Sequence, residues 1–349
     1  MRRHRTSAGT LLTAGALLTG ALTAATPASA APAPDSPAPG TGAAAAATHA
    51  VPAAEQRSAA AFWTADRMRG ATPLHLLLTP AQLKQLKAPK PGGRTTTIAP
   101  TAPAKADPGT ATGTATSAVG PLAFPQSGGP WSGGGAVVKT SGRVFFTFQG
   151  RTASCSGNAV TSQNQSTVIT AGHCVKYQGS WHTDWVFVPA YDNGQAPYGR
   201  WTATKTLATP RWEASEDINH DVGAAVVAPL NGQKLTAVTG AQGLQFNGGY
   251  NKQMYAFGFP AASPYDGSKL IYCSGNSSKD FLFSQDHSLG CNMTGGSSGG
   301  PWFTGFSESA GTGLQVSVNS FGYTFLPNRM FGPYFGNEAQ ALYNEAQTS

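Results

Sequence analysis

The sequence lacks the usual signatures of a metal-dependent enzyme. It contains no H-E-x-x-H motif and no C-x2-C pair, and its four cysteines stand apart from one another. Histidine or cysteine clusters at ligand spacing are the usual mark of a zinc site. A metallopeptidase is therefore disfavoured, and we predict neither a metal nor another cofactor.

Charge is also scarce, because only 11% of the residues are Asp, Glu, Lys or Arg. The net charge of +7 arises in the first 130 residues, which hold 11 Lys and Arg against four Asp and Glu, whereas residues 131–349 hold 12 of each sign. A nucleic-acid-binding domain needs a basic face. The balanced charge of residues 131–349 argues against a nucleic-acid partner.

The first thirty residues have the order of a secretory signal peptide. A basic start (Arg2, Arg3 and Arg5) precedes a short apolar stretch over residues 11–22, and Ala28-Ser29-Ala30 offers a cleavage site. The apolar stretch is too short for a membrane anchor, and no second long apolar run follows. We predict a secreted, extracellular protein that has no membrane contact once the signal is removed.

The four cysteines are Cys155, Cys174, Cys273 and Cys291. An exported protein meets oxidising conditions, so an even count predicts disulfides. Three pairings are open at this point. Pairing in sequence order would close two loops of about 20 residues, each contributing about 3 kcal/mol in the chain-entropy model.

Residues 31–130 have the composition of a pro-segment with linkers, partly disordered. Residues 31–48 are almost entirely Ala, Pro, Gly and Thr, which cannot form a core, and residues 91–120 are similar. Between them, residues 52–69 and 80–88 favour helices. The alternative is a simple spacer. The site of pro-segment removal is predicted only broadly, between about Ala118 and Gly135.

From Gly142 onward the pattern is that of an all-β protein. Short runs rich in β-branched and aromatic residues are separated by Gly- and Asn-rich turns, and they cover residues 144–148, 167–170, 185–188, 223–228, 254–257 and 314–318. Residues 337–347 instead favour a helix that begins near Asn337. No internal repeat is visible. The sequence predicts a β body closed by one C-terminal helix.

Three short segments of this body carry groups suited to nucleophilic catalysis. T-A-G-H-C at residues 170–174 places His173 at a strand end, and H-D-V-G-A-A-V-V at residues 220–227 places Asp221 at the mouth of an apolar strand. G-G-S-S-G-G-P at residues 295–301 surrounds a serine with glycines, which lets backbone N–H groups turn toward one point. Each segment also has an ordinary structural explanation, but they occur together and in the order His, Asp, Ser.

Together these motifs resemble those of the trypsin/chymotrypsin superfamily of serine endopeptidases. The likeness covers roughly residues 140–335 and is greatest to small bacterial secreted members, including the glutamyl-endopeptidase-like group. It implies a chymotrypsin-like domain over residues 131–349, built from two six-stranded antiparallel β-barrels. The barrels are expected at about residues 140–235 and 240–335, with the C-terminal helix at about 337–347.

The resemblance also implies a role for each motif residue. Ser298 would be the nucleophile, because it directly precedes Gly-Gly-Pro. His173 would act as general base and then as general acid, and Asp221 would orient the imidazole. The N–H groups of Gly296 and Ser298 would form the oxyanion hole. A disulfide between Cys155 and Cys174 would hold the loop of the base.

Departures from the family motifs concern activation and specificity. Ser297 stands where family members activated by a freed N-terminus have an Asp, so that ion pair is not expected. Asn292 stands where trypsin-like members have an Asp, and Asn319 where glutamate-specific members have a His. We therefore expect a neutral specificity pocket that accepts an uncharged side chain. Its predicted lining is Asn292, Met293, Asn319, Ser320, Phe321 and Gly322.

Two other functions compete with a peptidase. A catalytically inactive binding module would keep the fold without the chemistry, and an esterase or other acyl hydrolase could use G-x-S-x-G, although its usual chain order is Ser, acid, His. His220 is predicted to be a surface residue and His182 a turn residue, and neither is assigned a role. The predicted partners are protein or peptide substrates and the chain's own pro-segment, and a monomer is expected.

Overall fold

Strands dominate the computed structural model, which describes residues 45–79, 92–104 and 123–349. The predicted signal peptide, the Ala/Pro-rich residues 31–44 and the helix predicted at residues 80–88 lie outside the described residues. The strands are β1 Ala47–Ala50, β2 Thr72–Pro73, β3 Leu76–Leu78, β4 Thr96–Ile98, β5 Gln126–Pro130, β6 Ser141–Phe148, β7 Arg151–Ala159, β8 Thr167–Thr170, β9 Lys176–Tyr177, β10 Ser180–Trp181, β11 Thr183–Pro189, β12 Trp201–Ala208, β13 Gly223–Val227, β14 Gly243–Phe246, β15 Gln253–Gly258, β16 Ile271–Asn276, β17 Ser278–Lys279, β18 His287–Gly290, β19 Pro301–Ser307, β20 Thr312–Val318, β21 Phe321–Tyr323 and β22 Leu326–Gly332.

Helices are few and short among the described residues. They are α1 Ala53–Phe62, α2 Ala65–Arg69, α3 Ala136–Thr140, α4 Pro210–Ser215, α5 Leu235–Thr239 and α6 Asn337–Thr348, with 3₁₀ turns at Gly172–Cys174 and Ile218–His220. The predicted C-terminal helix is confirmed as α6, which buries one stripe of side chains (Ala339, Leu342, Tyr343 and Ala346). No helix in the described part of the chain is long and apolar enough to cross a membrane.

The first half of the β body is a closed barrel. Its six strands run in the order β12-β11-β6-β7-β8-β13, and β13 pairs back to β12 to close the ring. The interior is filled by side chains that alternate inward along each strand, such as Val144 and Phe146 of β6. The predicted all-β, chymotrypsin-like architecture is confirmed, and the strands of this barrel lie within the predicted range 140–235.

The second half differs in detail from the predicted second six-stranded antiparallel barrel. Its strands belong to two sheets, ordered β4-β14-β20-β19-β15-β16-β5 and β17-β18-β22-β21-β3. Three of these strands (β3, β4 and β5) come from residues ahead of the predicted domain, and β14 pairs with β20 in parallel. The hydrogen bonds therefore form no single six-stranded ring.

Two disulfides tie neighbouring elements together. Cys155 of β7 bonds to Cys174, and Cys273 of β16 bonds to Cys291 just after β18. Among the three open pairings, the structure has the one in sequence order. The first disulfide anchors the turn that carries His173 to the barrel wall.

The N-terminal segment, defined as residues 45–79 and 92–104, packs against the β body instead of forming a separate unit. β1 pairs antiparallel with β12, and β4 pairs with β14 at the edge of the larger sheet of the second half. β5 adds to β16 in the same way, although it precedes residue 131. Strands of three to five residues without apolar alternation have little stability of their own, and the exposed edge of an existing sheet supplies their hydrogen bonds.

Trp63 is the deepest anchor of the N-terminal segment. Its side chain is fully buried against Phe145, Val186 and Val188 of the barrel, and its indole N–H donates to the carbonyl oxygen of Asp184 at 2.6 Å. An indole buried in this way combines a large apolar area with a satisfied polar group.

We predict that Trp63→Ala lowers the free energy of unfolding of the full chain by about 3–5 kcal/mol, because it leaves a large cavity. Urea denaturation measures this directly. The matched control is Arg57→Ala on the exposed face of α1, which should change stability by less than about 0.5 kcal/mol. Equal effects of the two substitutions would contradict tight docking of the segment.

Candidate active site

A fully buried pair of side chains, His173 and Asp221, forms the centre of the site. The Nδ1 atom of His173 lies 2.8 Å from Oδ2 of Asp221, and the backbone N–H of His173 donates to Oδ1 of the same carboxylate, also at 2.8 Å. Neither side chain has measurable exposure. The carboxylate therefore fixes the imidazole through both the ring and the backbone.

A third donor reaches this carboxylate from the second half of the molecule. The hydroxyl of Ser320 donates to Oδ2 of Asp221 at 2.5 Å. A buried carboxylate needs several donors to compensate for lost hydration. Ser320 was predicted to line a specificity pocket, but the structure places its side chain on Asp221, where it helps to hold the acid.

The loop that carries Ser298 is held by two buried polar side chains. The hydroxyl of Ser156 accepts a hydrogen bond from the N–H of Phe259 and donates one to the carbonyl of Gly296, and its backbone N–H donates to the carbonyl of Ser298. Asn319 donates its amide to the carbonyls of Phe257 and Ser297. Sequence reasoning missed Ser156, and its only signal is that it directly follows Cys155.

Glycine is required in the loop around Ser298. Gly296 has a φ of +93° and Gly299 a φ of +81°, which side chains rarely tolerate. A Cβ on Gly299 would also overlap the side chain of Thr170, so this loop lies directly against the strand that leads to His173. The structure thus joins His173 to Asp221 and places the loop of Ser298 against β8, the strand that leads to His173.

The two neighbouring serines differ in where their hydroxyls point. Ser297 donates its hydroxyl to the carbonyl of Thr294 at 2.7 Å within the loop. Ser298 instead points to the space between β7 and β21, here called the cleft, where β2 and β3 lie. Its hydroxyl and the N–H of Gly296 both approach the carbonyl oxygen of Leu74, at 3.5 Å and 2.8 Å respectively. The Nε2 atom of His173 has no hydrogen-bond partner among the described residues.

His182 is a further residue that sequence reasoning missed. It was predicted to be a turn residue, yet its ring is 1% exposed and stacks on Phe146 at 4.2 Å. Its Nε2 lies 2.9 Å from the backbone carbonyl oxygen of His173, to which Nε2–H donates. Burial lowers the pKa of His182 to about 4, so the neutral ring supports the turn that carries His173.

His220 is less exposed than a surface residue. Its side chain is 17% exposed and lies between Arg211 and Glu338, with Nδ1 3.3 Å from the Glu338 carboxylate. It therefore connects its turn to α6.

The remaining predicted pocket residues have diverse surroundings. Asn292 accepts the hydroxyl of Tyr265 at 2.6 Å, and its backbone N–H donates to the carbonyl of Ser127. Met293 packs in the core of the second half. Phe321 is fully buried and stacks on Phe331, and Gly322 pairs with Leu77 of β3. The amide of Asn319 already donates to the carbonyls of Phe257 and Ser297, so it is not free to select a substrate side chain.

At Gly172 a neighbouring indole leaves no room for a side chain. A Cβ at this position would lie 2.7 Å from two ring carbons of Trp212 and 3.0 Å from Oδ1 of Asp221. Trp212 is buried and donates its indole N–H to the carbonyl of Lys176 at 2.8 Å. The glycine therefore allows the indole to pack directly behind the His173 turn.

Two solved structures resemble this chain in both sequence and fold. The protease Anisep from Arthrobacter nicotinovorans is 47% identical with a TM-score of 0.58, and the match covers 60% of this chain and 96% of that protein. The thermostable serine protease AL20 from an extremophilic microorganism is 43% identical with a TM-score of 0.58, and the match covers 61% of this chain and 99% of that protein. The chain belongs to the chymotrypsin-like bacterial serine proteases.

One curated relative of the chain is named as a metalloprotease instead of a serine protease. An extracellular metalloprotease of Bacillus subtilis (strain 168) is 26% identical over 191 residues, which is 53% of this chain and 57% of that protein. The chain thus matches little more than half the length of that relative. No protein-family model matches the chain.

The metal implied by the name of the Bacillus protein does not fit this site. Among the described residues, the only group of three potential ligands that lie close together is Cys155, His173 and Cys174. Both sulfurs are joined in a disulfide, and Nδ1 of His173 is bound to Asp221. Thiolate ligands must be free and deprotonated to hold a metal, so this group is not a metal site in the oxidised protein.

We predict that Gly172→Ala lowers the free energy of unfolding by about 1–3 kcal/mol through overpacking against Trp212. The matched control is Gly290→Ala, where an added Cβ meets no atom within 4 Å. Urea midpoints compare the two. The cost of Gly172→Ala should shrink in a Trp212→Phe background, because the two sites are in contact. Equal midpoints for both alanine variants would show that the indole can move aside.

We predict that His182 makes stability depend on pH. Its pKa is about 4 in the folded protein and near 6.5 when unfolded, so its stabilising effect is complete above pH 6.5 and is lost as the pH falls toward 4. The loss amounts to about 3 kcal/mol. In His182→Phe, which retains stacking on Phe146, the free energy of unfolding should fall less steeply over this range. Parallel pH profiles for both proteins would contradict the assignment.

Proposed function

We propose that the protein is the precursor of a secreted serine endopeptidase that forms an acyl-enzyme on Ser298. The observation that carries this proposal is the buried Asp221–His173 hydrogen bond beside a glycine loop that directs Ser298 and the N–H of Gly296 into one cleft. This arrangement supplies an oriented base, a nucleophile and an anion-binding amide.

In the first half of the reaction, the Ser298 oxygen attacks the carbonyl carbon of the scissile peptide bond, and its proton passes to Nε2 of His173. The carbonyl oxygen becomes an oxyanion that the N–H groups of Gly296 and Ser298 stabilise. The intermediate then collapses, the C–N bond breaks, and the leaving amine takes the proton from Nε2. Water repeats these steps to release the acid and restore Ser298.

Asp221 serves this cycle by holding the imidazole in one tautomer. Its Oδ2 accepts from Nδ1–H, which leaves Nε2 unprotonated and able to act as the base. The additional donors from the His173 backbone and Ser320 keep the carboxylate in place. When His173 gains a proton, the neighbouring negative charge stabilises the imidazolium.

We further propose that the enzyme prefers an uncharged side chain before the scissile bond. Asn292 and Asn319 are neutral, and the structure commits each of them to other protein groups. No fixed charge at these positions would pair with Arg, Lys or Glu. A peptide-library cleavage profile would test this preference.

Export and processing complete the proposal. The Ala28-Ser29-Ala30 site would release the signal peptide, and cleavage between about residues 118 and 135 would remove the pro-segment. Two disulfides and the extracellular Bacillus relative are in keeping with a protein that acts outside the cell.

The test is labelling of the exported, processed protein with a fluorophosphonate, followed by mapping of the labelled residue by mass spectrometry. We expect labelling at Ser298, because its hydroxyl points into the cleft, whereas that of the neighbouring Ser297 donates to the carbonyl of Thr294. Ser298→Ala should abolish labelling, whereas Ser297→Ala, the matched control on the adjacent serine, should retain it. His173→Ala should slow labelling by about 10³-fold or more.

The outcome that contradicts the proposal is a folded, processed protein that takes no label. That result would favour a catalytically inactive binding module. Labelling of Ser298 together with cleavage of esters but not of peptides would favour a different acyl hydrolase.

A further inference from the structure

Residues 72–78, here called the strap, cross the cleft between its two rims. On one rim, β2 pairs with Ala153 and Ser154 of β7, and the N–H of Leu74 donates to the carbonyl of Ser154 at 3.0 Å. On the other rim, β3 pairs with β21, so that Leu76 lies opposite Phe321. The strap therefore occupies the place where a peptide substrate must bind.

The carbonyl of Leu74 takes the position proposed for the oxyanion. It accepts the N–H of Gly296 at 2.8 Å and receives the hydroxyl of Ser298 at 3.5 Å. Gly295 permits this approach, because a Cβ there would lie 3.0 Å from Cβ of His75. The strap thus uses the same donor that the proposed reaction needs.

With the strap in place, the Ser298 hydroxyl is not hydrogen-bonded to its proposed base, His173. The Ser298 hydroxyl is directed to a carbonyl oxygen and not to a carbonyl carbon, and Nε2 of His173 has no partner among the described residues. Attack requires the reverse arrangement, in which Nε2 takes the proton and the serine oxygen faces the carbon. The Leu74–His75 bond is therefore held in a pose that does not lead to cleavage.

The strap differs from a simple extended ligand in the direction of its chain relative to the neighbouring strands. It runs parallel to both rim strands, β7 and β21. A peptide threaded the other way would pair antiparallel on both sides, which is the more stable arrangement per residue. In its parallel direction, the strap presents the Leu74 carbonyl oxygen to Ser298. In this arrangement Ser298 is not hydrogen-bonded to His173.

Side chains on alternate faces anchor the strap. Leu76 is 6% exposed and belongs to the core cluster that includes Phe321 and Tyr323, whereas Leu77 on the opposite face is 47% exposed. Upstream, the buried Trp63 and Met68 fix the preceding residues to the first barrel. These anchors hold the Leu74 carbonyl in the cleft without a covalent bond to Ser298.

We propose that residues 72–78 are a built-in inhibitor that binds the cleft parallel to both rims, fills the oxyanion site with the Leu74 carbonyl and resists cleavage. This inference rests on the proposed peptidase function. Its partner is a defined surface, formed by β7, β21 and the Gly295–Gly296 turn, and the same surface would take the peptide when it is supplied in trans.

The first experiment measures how fast a fluorophosphonate labels Ser298 in the intact full chain and in processed protein within the same sample, resolved by mass. Limited proteolysis provides the processed form if the chain does not process itself. We expect the intact chain to label about 100-fold more slowly, because only the fraction with an open cleft reacts. Leu76→Asp should speed labelling of the intact chain at least about tenfold by weakening the buried anchor.

The matched control is Leu77→Asp, which changes the exposed face of the same strand and should label like the unmodified chain. Equal labelling of intact and processed protein would overturn the inference while leaving the proposed function in place. Absence of labelling in every form would instead defeat the proposed function, and the inference with it.

A second measurement does not depend on the folding of any variant. A synthetic peptide of residues 71–79, added to the processed protein, should slow labelling in a concentration-dependent manner and remain uncut by mass spectrometry. The same peptide carrying Leu76→Asp should have at least about tenfold weaker effect. Cleavage between Leu74 and His75, or no slowing by either peptide, would overturn the inference.

Discussion

The hydrogen bonds to the carboxylate of Asp221 are the interactions on which the rest of the site depends. A buried negative charge is costly unless donors surround it. Two of the donors come from His173 in the first barrel, and the third is the Ser320 hydroxyl from the second half. A shift of one half relative to the other would break one of these hydrogen bonds and leave the buried charge without full compensation. The position of His173 therefore depends on the packing of the whole molecule.

The loop that carries Ser298 is also held by hydrogen bonds from both halves. Ser156 reaches it from the first barrel and Asn319 from the second half, and each donates a hydrogen bond to a backbone carbonyl of the loop. Because buried amides and carbonyls must be paired, the loop has few alternative conformations. The proposed base His173 and the proposed nucleophile Ser298 are thus located by hydrogen bonds that cross the junction between the halves.

Local patterns in the sequence were sufficient for the β architecture, because strand periodicity and short motifs are encoded in neighbouring residues. They also pointed to His173 and Asp221, which the structure joins by a hydrogen bond, whereas the role of Ser298 stays a prediction. The functions of Ser156 and His182 were not predictable, since both depend on partners brought near by folding. The same holds for β3 and β5, whose few residues become strands only at the edge of another sheet. The predicted pocket stays a prediction, and two of its residues have other partners, which sequence patterns do not encode: Ser320 donates to Asp221, and Asn319 donates to backbone carbonyls.

The positive-φ glycines of the loop have a consequence for the thermodynamics of catalysis. With the N-terminal segment in place, Gly296 and Gly299 already hold the loop in its turned conformation. Glycine loses more backbone entropy on ordering than any other residue. Here that loss occurs once, during folding, so a substrate of the proposed reaction would not have to offset it, and its binding free energy could be directed to the transition state.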